Sequence, residues 1–274
     1  MTEQLKTTID DSRTALRVEG PEALTFLQGL VTNDVAKAGP SVGVYAALLN
    51  PQGKLLADFI IWRPEETQFL IDVAAAFSAD LQKRLTLYKL RAAVEIAPAP
   101  QYQIRLYWPE RTAAPSQEGY GGPDPRDAAL GWRYLASTDA RADAAAHDAS
   151  IEDWEQLRLS LGVPASARDL RANDAYPLEY GFERLNGVDF KKSCFVGQEI
   201  VARMKHKAEL KKGLHRVAIE GPAPAPGADI LSDGKPAGTL GSARDGVGLA
   251  LLRFDRADGA LTVGDAVISK AERI

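Results

Sequence analysis

Between positions 14 and 96 the apolar residues change period in a fixed order, and that order admits few folds. Thr14-Ala15-Leu16-Arg17-Val18 alternates as a short strand does. Gly20-Pro21 then opens a helix, with Pro21 at the first helical position, where its missing N–H costs little. Leu24, Leu27 and Val31 give that helix an apolar face. Strands are expected over 42–49, 55–62 and 68–73, the first two joined by Asn50-Pro51-Gln52-Gly53-Lys54. In that turn proline presets φ and glycine tolerates φ > 0. Ser78 is placed to cap a helix carrying Leu81, Leu85 and Tyr88, and 93–96 returns as a strand. Strand, helix, three strands, helix, strand is a split βαβ pattern with an added strand. An antiparallel α+β fold is the expectation.

The rest of the chain divides at composition changes. Pro98-Ala99-Pro100 marks a seam, followed by strands over 102–108 and 132–136. The Pro-, Gly- and acid-rich stretch 109–127 reads as a surface loop, and the Ala/Asp-rich 139–149 shows no clear period. Ser150-Ile151-Glu152-Asp153 has the form of a capping box, opening a helix with Trp154, Leu157 and Leu161 that ends at Gly162-Val163-Pro164. Residues 165–196 are polar and turn-rich, a long loop of the kind that carries function. A helix follows over 197–207. Beyond Gly213, short apolar runs separated by turns such as Ser232-Asp233-Gly234-Lys235 predict a small β-barrel or sandwich. The expected organisation is an α+β region over 1–210, with lobes of about 1–97 and 98–210, and a β-barrel over 211–274.

Composition removes several function classes. At 274 residues, 45% apolar and 26% charged, the chain is long and apolar enough for a packed core. A formal net charge of −4 argues against a nucleic-acid polycation, so direct nucleic-acid binding is not expected. No run approaches the ~18 apolar residues of a membrane helix, and the first residues lack an apolar signal core, so no membrane partner is expected. One cysteine cannot form an internal disulfide, which points to a reducing compartment and a cytoplasmic location. With three histidines, an internal four-ligand metal site is not expected.

That cysteine is Cys194, in Lys191-Lys192-Ser193-Cys194-Phe195-Val196-Gly197-Gln198-Glu199. It precedes a helix N-terminus, where unpaired N–H groups and the helix dipole favour an anion, and two lysines add positive charge. Both effects favour a nucleophilic thiolate. Gly197 would let a ligand approach the backbone closely. Gln198 and Glu199 offer an amide and a carboxylate to a flat ligand with mixed donors and acceptors. The alternative is a small hydrophobe buried beside Phe195 and Val196. Position alone leaves both open. From 191 to 212 seven lysines and arginines face two acids, either a solvated face or a seat for an anionic partner.

Lys192-Ser193-Cys194-Phe195-Val196-Gly197-Gln198-Glu199 resembles the Lys-Gly-Cys-(Phe/Tyr)-x-Gly-Gln-Glu signature of the YgfZ family, folate-binding proteins related to the aminomethyltransferase (T-protein) of the glycine cleavage system. Phe26-Leu27-Gln28-Gly29-Leu30-Val31-Thr32-Asn33-Asp34-Val35 resembles the family's first helix, and Ala46-Ala47-Leu48-Leu49-Asn50-Pro51-Gln52-Gly53-Lys54 its hairpin. Tyr88-Lys89-Leu90-Arg91 and Pro177-Leu178-Glu179 resemble two further elements. The resemblance spans nearly the whole chain. One departure is Ser193, where the family has glycine; a positive φ there would strain a serine.

The resemblance implies a three-lobed, ring-like aminomethyltransferase-type α+β fold, with a central folate pocket and a small C-terminal β-barrel. It implies binding of tetrahydrofolate and support for the assembly or maintenance of iron–sulfur proteins, including a radical enzyme that methylthiolates tRNA. The implied partners are folate and iron–sulfur proteins or cluster-assembly factors. Cys194 and Lys192 would form the functional motif, with Gly197, Gln198 and Glu199 beside the folate. By position Glu179 matches the glutamate that holds the pterin, and Gln28, Asn33 and Arg91 would line the same pocket. Arg158 and Arg203 would meet folate carboxylates, since arginine binds carboxylate in two-pronged fashion. Without the resemblance each of these is an ordinary surface polar group. The alternative function is a true folate-dependent aminomethyltransferase. Those enzymes carry Gly-Gly-x-x-Asp-Asp after the hairpin turn, where this chain has Gly53-Lys54-Leu55-Leu56-Ala57-Asp58. Losing one carboxylate weakens amine activation, which needs a placed base.

Overall fold

A computed structural model of the chain describes residues 4–109, 113–207, 209–222 and 224–274. In chain order it contains β1 (Lys6–Ile9), β2 (Arg13–Glu19), α1 (Ala23–Gln28), β3 (Val44–Leu49), β4 (Leu55–Glu65), β5 (Gln68–Ala74), α2 (Ala75–Lys89) and β6 (Glu95–Pro98). Next come β7 (Tyr102–Trp108), β8 (Tyr120–Pro123), β9 (Trp132–Ser137), β10 (His147–Asp148), α3 (Ile151–Ser160) and α4 (Gln198–His206). The chain closes with β11 (Lys212–Glu220), β12 (Asp229–Ser232), β13 (Lys235–Arg244), β14 (Val247–Arg253), β15 (Leu261–Val263) and β16 (Ala266–Arg273). Among the described residues no helix is long and apolar enough to cross a membrane.

Three β layers organise these elements: a sheet β3-β4-β5-β2-β6, a sheet β10-β1-β7-β9-β8, and a closed barrel β11-β14-β13-β12-β15-β16. β3 is buried along its whole length, and its alternation sorts its side chains between two cores. Ala46 and Leu48 face Leu27, Leu81 and Leu85 on the helical side. Tyr45, Ala47 and Leu49 face Ile104, Leu106 and Leu135 of the second sheet. The barrel encloses Val217, Ile230, Leu240, Leu252 and Val263. Closure removes exposed strand edges.

Ionic groups are also buried where the two sheets meet. Asp72 is fully enclosed and takes Arg133 Nη1 at 3.0 Å and Arg13 Nε. Arg133 Nε reaches Asp124 Oδ2 at 3.1 Å, and Arg126 binds that carboxylate at 2.6 Å. Burial works to raise the Asp124 carboxyl, but the two guanidinium groups hold it well below the usual carboxylate range.

Several elements differ from expectation. α1 begins at Ala23, leaving Pro21 outside, and ends at Gly29, so Val31 forms an isolated bridge to Leu48 instead of a helical face. α2 begins three residues before Ser78, with Ala74 at its N-cap and no side-chain cap. The stretch 109–127, of which 110–112 lie outside the described residues, is not simply a surface loop. It supplies β8 and the buried Asp124 and Arg126. Its glycines serve close packing: a Cβ on Gly121 would lie 2.3 Å from the Arg133 carbonyl oxygen, and one on Gly122 2.2 Å from that of Ser41. β1 joins the sheet otherwise built from residues 102–148. Ser150 does cap α3, accepting the Asp153 N–H at 3.2 Å.

Candidate functional site

The two segments that carried the strongest motifs are stitched together. Thr32 Oγ1 donates to the Gly187 carbonyl at 2.6 Å and accepts the Ala47 N–H at 2.9 Å. Asn33 Nδ2 donates to the carbonyls of Tyr45 (2.8 Å) and Asn186 (2.6 Å). Asp189 accepts Lys37 Nζ at 2.6 Å and the Lys191 N–H at 2.7 Å. Lys192 is buried, and its ammonium donates to the Gln28 carbonyl at 2.7 Å and the Val31 carbonyl at 2.6 Å. The first carbonyl belongs to the last residue of α1, where a cation is favoured, and the second lies three residues beyond it. Gln28 closes the same turn with its amide, donating to Asp34 Oδ1 and accepting the Val35 N–H, both at 3.0 Å.

Cys194 stands between two anchors. Lys192 lies on one side; on the other, Phe195 is buried, its ring 5.3 Å from Lys192 Nζ. The thiol itself is exposed, so the reading of a buried hydrophobe is overturned. Gly197 caps α4 at φ +81°, and a Cβ there would lie 2.7 Å from the Asn50 carbonyl oxygen. A Cβ on Gly53 would lie 2.8 Å from Ile200 Cβ. The glycine therefore admits the protein's own hairpin turn, not a ligand. Ser193 has no positive φ, so its replacement of the family glycine stores no backbone strain.

The lysines act differently from expectation. Lys192 directs its charge at α1, and burial pushes its pKa down to about 8. Its ordinary value is 10.5, so in that window the unfolded state holds more protons and stability rises with pH. Wild type should gain stability relative to Lys192→Met from about pH 8 to 10.5 and show no differential slope below it. Urea midpoints across that range check this; a flat difference contradicts the burial. Lys205 pairs with Glu183. Lys191 and Arg203 remain exposed.

Glu179 lies in a 3₁₀ turn (Pro177–Tyr180) facing the barrel, 8% exposed. Burial raises its pKa, opposed by Lys212. Its Oε2 is 3.3 Å from Lys212 Nζ yet has no hydrogen bond of proper geometry. Lys212 lines a cleft of about 100 Å3 with Tyr180, Arg171 and Asp174. Lys54 sits nearby, 5.5 Å above the Tyr176 ring.

The remaining expected residues scatter. Arg158 is buried in α3 and spent on Asp169 (3.1 Å), Glu155 (2.7 Å) and the Val163 carbonyl (2.6 Å). Arg91 is exposed in the turn after α2. Gln198 is half-buried and Glu199 exposed on the first turn of α4. Neither Arg91, Gln198, Glu199 nor Arg203 has a side-chain partner among the described residues. Thr32, Asp189 and Lys212 were not expected at the site. The polar run Thr32-Asn33-Asp34 straight after a helix was the available signal for the first.

Comparison with known proteins decides the family. The chain is 35% identical over 282 residues to the mouse protein named iron-sulfur cluster assembly factor IBA57, mitochondrial, covering 92% of this chain and 79% of that one. The chain belongs to the IBA57 family. The human IBA57 protein matches equally, 35% identical over 92% of the chain, and the Neurospora crassa homologue at 32% over 81%. Family models match within it: the GCVT N-terminal domain over residues 9–103, and the CAF17 C-terminal beta-barrel domain over 211–271. The crystal structure of glycine cleavage system aminomethyltransferase T from Bartonella henselae superposes with a TM-score of 0.72 at 16% identity, over 99% of this chain and 85% of that one. The chain therefore has the aminomethyltransferase fold, as expected, and the YgfZ resemblance resolves to this related family. The cytoplasmic expectation is overturned. The mouse, human and Neurospora crassa relatives are named mitochondrial. A lone cysteine excludes an internal disulfide but does not distinguish one reducing compartment from another.

Proposed function

We propose that this chain supports the assembly or maintenance of iron–sulfur proteins, among them enzymes that methylthiolate tRNA, and that it binds reduced folate. The observation that carries the reading is the near full-length match to two proteins named iron–sulfur cluster assembly factors. The exposed Cys194 on an anchored loop supports it, since a thiol held in place can meet a cluster or thiol on a partner without first being ordered. Among the described residues no group of three or more His, Cys, Asp and Glu is placed to hold a metal, so a cluster touched by Cys194 needs ligands from its partner. In cells lacking the protein, Cys194→Ser should express and fold normally. It should fail to restore four-iron enzyme activity and tRNA methylthiolation. Full rescue by that variant would end the thiol role.

For folate the residues fit in part. The buried Glu179 Oε2, without a hydrogen bond, matches the donor edge of a pterin, with Lys212 and Lys54 beside it. Gln28, Asn33 and Arg158 do not fit, because their polar groups are already spent within the protein. The cleft at Lys212 accommodates only part of a folate. Bound folate would supply a one-carbon carrier. Calorimetry with tetrahydrofolate should show binding that Glu179→Gln weakens about tenfold, as expected for one charged hydrogen bond. Equal affinity in both proteins, or no heat at millimolar folate, would reject this placement.

The aminomethyltransferase alternative is disfavoured. Ala57 replaces one acid, and Asp58 is fully buried with its Oδ2 accepting the Tyr45 hydroxyl at 3.1 Å. A general base must come within hydrogen-bond reach of its substrate.

A further inference from the structure

Away from the cysteine loop, a cavity of about 160 Å3 opens between α3, the start of β2, β9 and the 165–168 turn. Five arginines line it: Arg13, Arg126, Arg133, Arg158 and Arg168. Two acids do so as well, Asp10 and Glu155. Both acids are engaged. Glu155 Oε2 takes Arg158 at 2.7 Å and its Oε1 takes Arg168 at 2.7 Å, while Asp10 Oδ1 accepts from Ser12. Arg13 is spent on Asp72, and Arg158 also on Asp169.

Two guanidinium edges are left over. Arg133 uses Nε and Nη1 on Asp124 and Asp72, and its Nη2 is buried with no hydrogen-bond partner, on a side chain 1% exposed. Arg126 uses Nε and Nη2 on Asp124, and its Nη1 makes no hydrogen bond among the described residues. Both groups lie against one indole, with Cζ 5.4 Å (Arg133) and 5.9 Å (Arg126) from the Trp154 ring. A buried cationic N–H without an acceptor is costly.

We propose that this cavity binds a compact oxyanion, a carboxylate or a phosphate, through the free edges of Arg126 and Arg133 against Trp154. The space equals about five water volumes, enough for such a group. Both oxyanions accept hydrogen bonds from guanidinium in the required geometry. Asp10, whose Oδ2 lies 4.0 Å from Arg133 Nη1, together with Asp72, Asp124, Glu155 and Asp169 matches the five arginines in charge, so the site recognises through fixed donors and binds in roughly the millimolar range. Its function is separate from that of the cysteine loop.

The test titrates the full chain with sodium phosphate and, separately, sodium acetate, at ionic strength held constant with chloride. Tryptophan fluorescence and melting temperature are followed. A saturable response to either anion is expected, and the arm that responds identifies the source. Arg126→Lys keeps the charge but loses the planar fork, and should weaken binding about tenfold. Trp154→Phe should lose the fluorescence change while keeping the thermal one. No saturable response in either arm up to about 100 mM would leave the cavity to water and overturn the proposal. So would unchanged binding in Arg126→Lys. Should that variant not fold, a fluorescence change surviving in Trp154→Phe places the anion elsewhere and overturns it as well.

Discussion

Asp72→Asn should cost about 3–5 kcal/mol of folding free energy, a large share of the ~5–15 kcal/mol that holds a typical domain together. The side chain keeps its shape and loses its charge. Arg13 and Arg133, both nearly inaccessible to solvent, would then face an amide whose NH2 group competes with their own donors. Asp72 itself has no contact with solvent, so the penalty is that of leaving its two cations without their counter-ion. A surface pair provides the comparison. Asp80 and Arg84 are also ion-paired, at 2.6 Å on one face of α2, yet Asp80 is exposed and Arg84 only half-buried. Asp80→Asn should change stability by no more than about 0.5 kcal/mol. Urea unfolding of the two variants gives the contrast directly. A loss below about 1 kcal/mol for Asp72→Asn would mean that the network is wetter than its burial indicates.

Gly197→Ala should be the most damaging single methyl group near the cysteine. Left-handed backbone costs a non-glycine residue roughly 1–2 kcal/mol. The added carbon also meets the Asn50 carbonyl oxygen at 2.7 Å and Gly53 Cα at 3.1 Å, backbone atoms with no rotamer to escape into. Together these amount to roughly 2–4 kcal/mol, or about 5–15 °C in melting temperature for a chain of this size. Ser193→Gly, which restores the family residue four positions earlier, should shift stability by about 1 kcal/mol at most, because Ser193 is not in the left-handed region. An unchanged melting temperature for Gly197→Ala would show that the hairpin turn does not seat against α4 as described.

β2 was legible from its alternation, and β3 to β5 as apolar runs between turn residues, because strands covered on both faces read as near-continuous apolar stretches. The barrel was legible as five short apolar runs, the last of which divides into β15 and β16. The Ser150 cap was legible because its chemistry is local. β1 was not: Lys6-Thr7-Thr8-Ile9 is too short to show a period, and its partners lie far away in the chain. β8 was hidden because Gly121-Gly122 has loop composition for a packing reason. At the site, the cysteine motif stood out, but the roles around it did not. Lys192 belongs to a basic run that looks solvated, and its burial depends on carbonyls 164 and 161 residues away, at and just beyond the end of α1. Arg158 has the spacing of a surface helix charge, and only the fold brings Asp169 to it. Gln28 and Asn33 were placed in the pocket by the family resemblance alone, and their amides serve unpaired backbone groups instead.

The placement of β1 sets a schedule during synthesis. Thr7 pairs with Tyr107, so one hundred residues must be added before its main partner exists. At ~5–20 residues per second this takes roughly 5–20 s on the ribosome, while the first sheet from β2 to β6 can already close. Through that interval an early strand with open backbone donors and acceptors waits beside a finished sheet, and a nascent-chain chaperone that shields it would be felt in yield before any effect on the mature protein.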